Sequence, residues 1–214
     1  MKILVTAFEP FGGDRLNASQ EVLSALPERI DDLQIEKCCL PVVFRAASDV
    51  ALAAAERLRP DAIVCLGQAG GRDCVTPERV AVNLMDAAMP DNEGFRPVDE
   101  PVVPGGPAAY FSTLPVKAMA DAMRLADVPA RLSNTAGTYV CNSLLYAMLH
   151  WAQAQPREIP CGFLHLPYFT EQRPPDGIPS LARETVLRGV TAALRTLKNE
   201  SASSKGRNEH AHHL

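Results

Sequence analysis

The chain lacks most of the signatures that make function easy to read. G-x-S-x-G is absent, so the serine-hydrolase elbow has no support. The phosphate loop G-x-x-x-x-G-K-[ST], the dinucleotide pattern G-x-G-x-x-G and the zincin pattern H-E-x-x-H are absent too. No C-x-x-C occurs, and no Cys/His pair has zinc-finger spacing. No apolar run approaches the ~18–20 residues of a membrane helix. There is no basic excess either: Lys plus Arg is 21 against 25 for Asp plus Glu, a net charge of −4. A nucleic-acid partner is therefore not expected, nor a membrane. Met1–Phe8 lacks the length and cleavage site of a signal peptide, so a cytosolic location is expected.

What remains is ordinary globular material. The 214 residues are 47% hydrophobic and 21% charged, which excludes disorder as the main state. One α/β domain over residues 1–199 is expected, followed by a disordered, polar, His-rich tail over 200–214.

Strand-like and helix-like runs alternate. Lys2–Phe8 (KILVTAF), Gln34–Leu40, Ala62–Leu66 (AIVCL), Ala130–Ser133 and Cys161–Leu166 (CGFLHL) read as strands. Ser19–Leu26, the Ala-rich run ending at Leu58, Val116–Ala126, Cys141–Gln153 and Leu181–Lys198 read as helices. Arg79–Leu84 looks extended. Asp86–Pro107 is too rich in proline and glycine for regular structure and is expected to be a lid or binding loop. Alternation of this kind predicts a mostly parallel twisted sheet with helices on both faces, an open α/β sandwich. Ligands in such folds sit outside the carboxyl ends of the strands. Glu9–Asn17, Gly67–Asp73, Asn134–Thr138 and the segment after Leu166 are the candidate rim.

Six cysteines stand at 38, 39, 65, 74, 141 and 161. Cys38, Cys39, Cys65 and Cys161 fall inside strand runs and read as inert core thiols. Cys38 and Cys39 are adjacent and must face opposite sides of the sheet. Cys74, beside Arg72 and Asp73, reads as exposed. Cys141 follows a polar turn and opens a helix, where backbone N–H groups favour a thiolate or an oxyanion. A cysteine nucleophile needs a base. His210, His212 and His213 lie in the tail. His150 is nine residues beyond Cys141, which is half a turn out of phase and about 13 Å along the helix. His165, near a strand end, is left as the base. An orienting carboxylate is less determined: Glu78 leads an apolar face, and Asp73, Asp86 and Glu9 compete with it.

Four blocks then carry a resemblance. They are Phe8-Glu9-Pro10-Phe11-Gly12-Gly13; Gly67-Gln68-Ala69-Gly70-Gly71-Arg72 with Pro77-Glu78-Arg79-Val80-Ala81-Val82-Asn83; Ser133-Asn134-Thr135-Ala136-Gly137-Thr138-Tyr139-Val140-Cys141-Asn142; and Gly162-Phe163-Leu164-His165-Leu166-Pro167. In this order the chain resembles pyroglutamyl peptidase type I, the pyrrolidone-carboxylate peptidase family, from Lys2 to about Leu197. The resemblance implies a cysteine exopeptidase with Cys141, His165 and Glu78 as its catalytic set. It implies N-terminally pyroglutamylated peptides as substrates, no cofactor or metal, and frequently a homotetramer. Phe8 and Phe11 resemble the family's ring-contacting aromatics, Gln68 aligns with a glutamine used near substrate, and Tyr139 and Val140 line the approach to Cys141. Tyr139 stands where Phe is common. Ala88 stands where the family usually carries an Arg that assists charge stabilisation at the reacting carbonyl. Arg72, Arg79 or backbone donors would have to substitute, or turnover is slow. Two other classes compete: a non-catalytic binder of lactam ligands, and a hydrolase of another small amide.

Overall fold

A computed structural model describes residues 1–198; the tail lies outside the described residues. Ten strands and five α-helices alternate along them. The strands are β1 (Lys2–Phe8), β2 (Arg29–Ile30), β3 (Leu33–Leu40), β4 (Ala62–Gln68), β5 (Thr76–Pro77), β6 (Val80–Val82), β7 (Ala109–Phe111), β8 (Cys161–Leu166), β9 (Tyr168–Phe169) and β10 (Ser180–Leu181). The helices are α1 (Ala18–Ala25), α2 (Ala46–Leu58), α3 (Val116–Leu125), α4 (Val140–Gln153) and α5 (Arg183–Arg195).

Six strands form the main sheet in the order β2-β3-β1-β4-β8-β5. The central four run parallel, and the short edges β2 and β5 are antiparallel. The central strands are apolar on both faces because helices cover both. Side chains alternate between two cores. Ile3, Val5, Ala7, Val64 and Leu66 pack with Val22 of α1, Met119 and Met123 of α3, and Val190 of α5. Leu4, Phe8, Ile63, Cys65, Cys161 and Phe163 pack with Ala51 and Ala55 of α2 and Leu144, Leu145 and Met148 of α4. The fold class is therefore α/β, with a mostly parallel sheet between helical layers.

β1 lies between β3 and β4, so the chain winds in opposite directions from it. A crevice opens at such a switch point, outside the carboxyl ends. Here those ends are Phe8 of β1 and Gln68 of β4.

Several expectations need correction. β4 runs on to Gln68, because Gly67 and Gln68 pair with His165 and Leu166 of β8. Residues 130–133 do not form a strand; they make only the isolated bridges Val75–Ala130 and Glu78–Ser133. The last helix starts at Arg183, since Ser180–Leu181 pairs with β9. The strand β7 was not foreseen; it pairs with β6 across the intervening loop. Cys74 is buried, not exposed. Cys39 is exposed and Cys38 half-buried, so only Cys65 and Cys161 are core thiols as expected. The cause is position: β3 is covered on its outer side only by the two-residue β2.

Candidate active site

Cys141 is the second residue of α4. Two local features define the helix start. Tyr139 is the N-cap and adds no side-chain cap, so the first-turn N–H groups are not taken by a capping side chain. Asn142, buried, accepts from the Val82 N–H at 3.0 Å and donates to the Val82 and Leu84 carbonyls at 2.9 Å. Its amide thereby ties the helix to β6.

The thiol lies over β4 at Gly67. A Cβ built on Gly67 would stand 3.1 Å from Cys141 Sγ and 2.5 Å from Phe163 Cζ. Only glycine leaves room for both. Gly67 is the register partner of His165 on β8, and Phe163 and His165 share that face with ring centroids 4.6 Å apart. Thiol, imidazole and Phe163 ring thus crowd over one patch of sheet.

His165 Nδ1 meets Glu78 Oε1 at 2.8 Å. The contact fixes Nδ1 as the protonated nitrogen opposite a carboxylate and leaves Nε2 for chemistry. Glu78 is fully buried and His165 is 3% exposed. Arg72 donates to the same Glu78 oxygen at 2.6 Å, to Thr76 Oγ1, and to the Thr135 carbonyl at 3.2 Å. Of the competing carboxylates, Asp73 pairs with Arg131 on the surface. The elimination of His150 agrees with its contact to the Tyr110 hydroxyl at 2.8 Å.

Charge follows from these contacts. Burial, aided by the Glu78 charge and opposed by Arg72, pushes the Cys141 thiol up to about 12. Burial also lowers His165, partly offset by its hydrogen bond to Glu78. For Glu78 burial acts upward, but the hydrogen bond and charge of His165, with Ser133 and Arg72, outweigh it and hold the carboxyl below its usual value. The resting set is a neutral thiol, a neutral imidazole and an ionised carboxylate.

A small cleft opens beside the thiol, lined by Phe8, Phe11, Asn17, Val42, Gln68, Tyr139, Val140 and Cys141. All five expected substrate-contacting residues line it together with the expected nucleophile. Asn17 and Val42 were not singled out from sequence. Asn17 caps α1, accepting from the Ser19 N–H at 2.9 Å, and its place in a rim loop before a helix was the signal available. Tyr139 stacks edge-on against Phe44 at 5.3 Å, and its hydroxyl donates to the Pro90 carbonyl at 2.9 Å. The Pro-rich loop is thereby tied to the cleft wall. Ala88 is exposed on that loop. Arg72 is committed to Glu78, so it does not supply the guanidinium missing at 88.

A thiol at a helix start, an imidazole and a buried carboxylate beside an apolar cleft define the class of cysteine hydrolases. A family model for pyroglutamyl peptidase matches residues 1–200, and the chain belongs to that family. It is similar to the pyrrolidone-carboxylate peptidase of Thermococcus kodakarensis, 48% identical over 91% of this chain and 95% of that one. The Levilactobacillus brevis enzyme of the same name is 46% identical over 92% and 97%. Among solved structures, pyroglutamyl peptidase I of Bacillus amyloliquefaciens superposes with a TM-score of 0.87 at 40% identity, covering 90% of this chain and 94% of that one. A mutant pyrrolidone carboxyl peptidase of Pyrococcus furiosus gives 0.89 at 41% identity, covering 94% and 99%. Among the described residues no helix is long and apolar enough to cross a membrane.

Proposed function

We propose that the chain removes an N-terminal pyroglutamyl residue from peptides through a Cys141 thioester. The pyroglutamyl ring enters the cleft with its apolar faces against Phe8, Phe11 and Tyr139. Gln68 offers a polar group to the lactam edge. Cys141 Sγ attacks the pyroglutamyl carbonyl while His165 Nε2 takes the thiol proton. Glu78 holds the imidazole tautomer and stabilises its cation. Backbone N–H groups of the first turn of α4 receive the oxyanion. The C–N bond breaks, and His165 returns its proton to the leaving amine. Water then adds its hydroxyl to the acyl carbon and gives its one remaining proton to His165; the C–S bond breaks, and His165 returns that proton to sulfur. Pyroglutamate leaves and the thiol is restored.

One observation carries this reading: the thiol belongs to the wall of the same cleft that holds both phenylalanines and the glutamine. A non-catalytic lactam binder would not need a His165–Glu78 pair beside it. The test is hydrolysis of pyroglutamyl-7-amido-4-methylcoumarin with and without iodoacetamide, followed by peptide mapping. Turnover lost in step with alkylation of Cys141 is the expected result. Turnover by Cys141→Ala would overturn the assignment. A cytoplasmic location and a tetrameric assembly are further parts of this reading, supported by the family resemblance and, for assembly, by exposed Phe111 and Leu125. Sedimentation velocity tests the assembly.

A further inference from the structure

Gln68 is 6% exposed, and its amide is used on one side only. Its Oε1 accepts from the Ala18 N–H at 2.8 Å and from Gln172 Nε2 at 2.8 Å. Its Nε2 is buried, in a residue that lines the cleft, and has no hydrogen-bond partner. Two unpaired N–H groups in such a place are costly, and a ligand acceptor would relieve that cost.

The amide cannot simply turn over. A backbone N–H only donates, so the Gln68 atom facing Ala18 must be oxygen. The same logic fixes Gln172. Its Oε1 accepts from the Phe169 N–H at 2.7 Å, so its other atom is the nitrogen, which donates to Gln68 Oε1 and to the Leu16 carbonyl at 3.1 Å. The two side chains are 104 positions apart in sequence. Gln172 sits in a short 3₁₀ turn directly after β9, in the rim segment beyond β8.

We propose that Gln172 is a positioning residue for substrate selection: it locks the Gln68 amide so that its NH₂ faces the cleft as a donor for the lactam carbonyl. This rests on the pyroglutamyl reading of the cleft. A lactam ring differs from a plain five-membered carbocycle by one C=O and one N–H. A cleft that hydrogen-bonds the C=O rejects the carbocycle, because its own donor is then left unpaired. Discrimination survives only while the donor points inward. Without Gln172, Gln68 Oε1 keeps one bond, and the side chain gains other rotamers.

The experiment compares pyroglutamyl- with cyclopentanecarbonyl-7-amido-4-methylcoumarin, using full-length wild type, Gln172→Met, Gln172→Glu, Gln68→Leu and the Gln68→Leu/Gln172→Met double variant. Gln172→Glu keeps the acceptor for Phe169 and so preserves the turn, but removes the donor to Gln68. In both Gln172 variants the ratio of kcat/KM for the lactam over the carbocycle should fall by roughly 10–100-fold, chiefly through KM for the lactam. In the Gln68→Leu background, Gln172→Met should leave the ratio unchanged. Equal losses on both substrates, or a ratio equal to wild type in both Gln172 single variants, overturn the inference while leaving the enzyme reading intact. Wild type without pyroglutamyl turnover overturns that reading, and this inference with it.

Discussion

Gly67→Ala places one methyl group at the centre of the site. Gly67 does not have a positive φ, so the backbone accepts alanine and the effect is steric alone. The new Cβ would meet Phe163 Cζ at 2.5 Å, Phe163 Cε1 at 2.8 Å and Cys141 Sγ at 3.1 Å. All three distances lie inside van der Waals contact, and the ring cannot retreat freely. Phe163 is fully buried, with the Phe8 ring at 6.5 Å and the His165 ring at 4.6 Å. Overpacking of this kind costs about 1–3 kcal/mol. At about 2–4 °C per kcal/mol for a chain of this size, Tm should drop by roughly 2–12 °C. Relief requires displacing the Phe163 ring, which neighbours the imidazole, or the thiol itself. A displacement near 1 Å at the reacting atoms costs on the order of 10²-fold in rate. Calorimetry and kcat for pyroglutamyl-7-amido-4-methylcoumarin read both effects. Wild-type kcat together with wild-type Tm would refute the reasoning, since no crowded thiol–ring–imidazole patch could then exist.

Three further outcomes follow from the site. Glu78→Gln leaves the Arg72 guanidinium opposite a neutral amide, at a cost of about 3–5 kcal/mol, or roughly 6–20 °C in Tm; kcat should drop by roughly 10³–10⁴-fold through loss of the imidazole tautomer, and a Tm loss with unchanged kcat would remove Glu78 from the mechanism. Because burial lowers His165 from 6.5, and only the neutral ring accepts the thiol proton, the acid limb of kcat/KM should lie below pH 6.5; a limb centred above that value contradicts a neutral resting dyad. The sign for stability is the same: the contribution of neutral His165 is full above 6.5 and is lost as pH falls toward its folded-state value, with ionised Glu78 lost at still lower pH. Ala88→Arg should raise kcat, up to the ~2.7–4 kcal/mol that one oxyanion donor can supply; stopped assays at saturating substrate measure it, and an unchanged kcat means that the backbone donors of α4 already suffice.

The strands β1 and β8 and the helix carrying Cys141 were legible because their patterns are local. An apolar run in a doubly covered sheet reads as a strand without knowledge of its neighbours, and a polar turn before an apolar stripe reads as a helix start. His165 emerged by exclusion, since every other imidazole lay in the tail or at the wrong helix phase; Cys141 stood apart because it opens a helix, whereas four other thiols fall in strand runs and Cys74 in a loop. Other features depend on partners distant in sequence. Cys74 was judged exposed from its charged neighbours, yet the fold buries it. Residues 130–133 look like a strand but form only isolated bridges. The choice of Glu78 over Asp73 needed β5 laid against β8, which brings the carboxylate to the imidazole 87 positions away. The direction of the Gln68 amide needed a backbone N–H at 18 and a side chain at 172. Sequence alone determined which groups could do thiol chemistry, because side-chain type and helix phase are properties of short segments. Tertiary structure decided which way the glutamine points and which carboxylate faces the imidazole, where residue types alone left Glu78, Asp73, Asp86 and Glu9 open and only the resemblance pointed to Glu78, because hydrogen-bond direction is set by the atoms that meet.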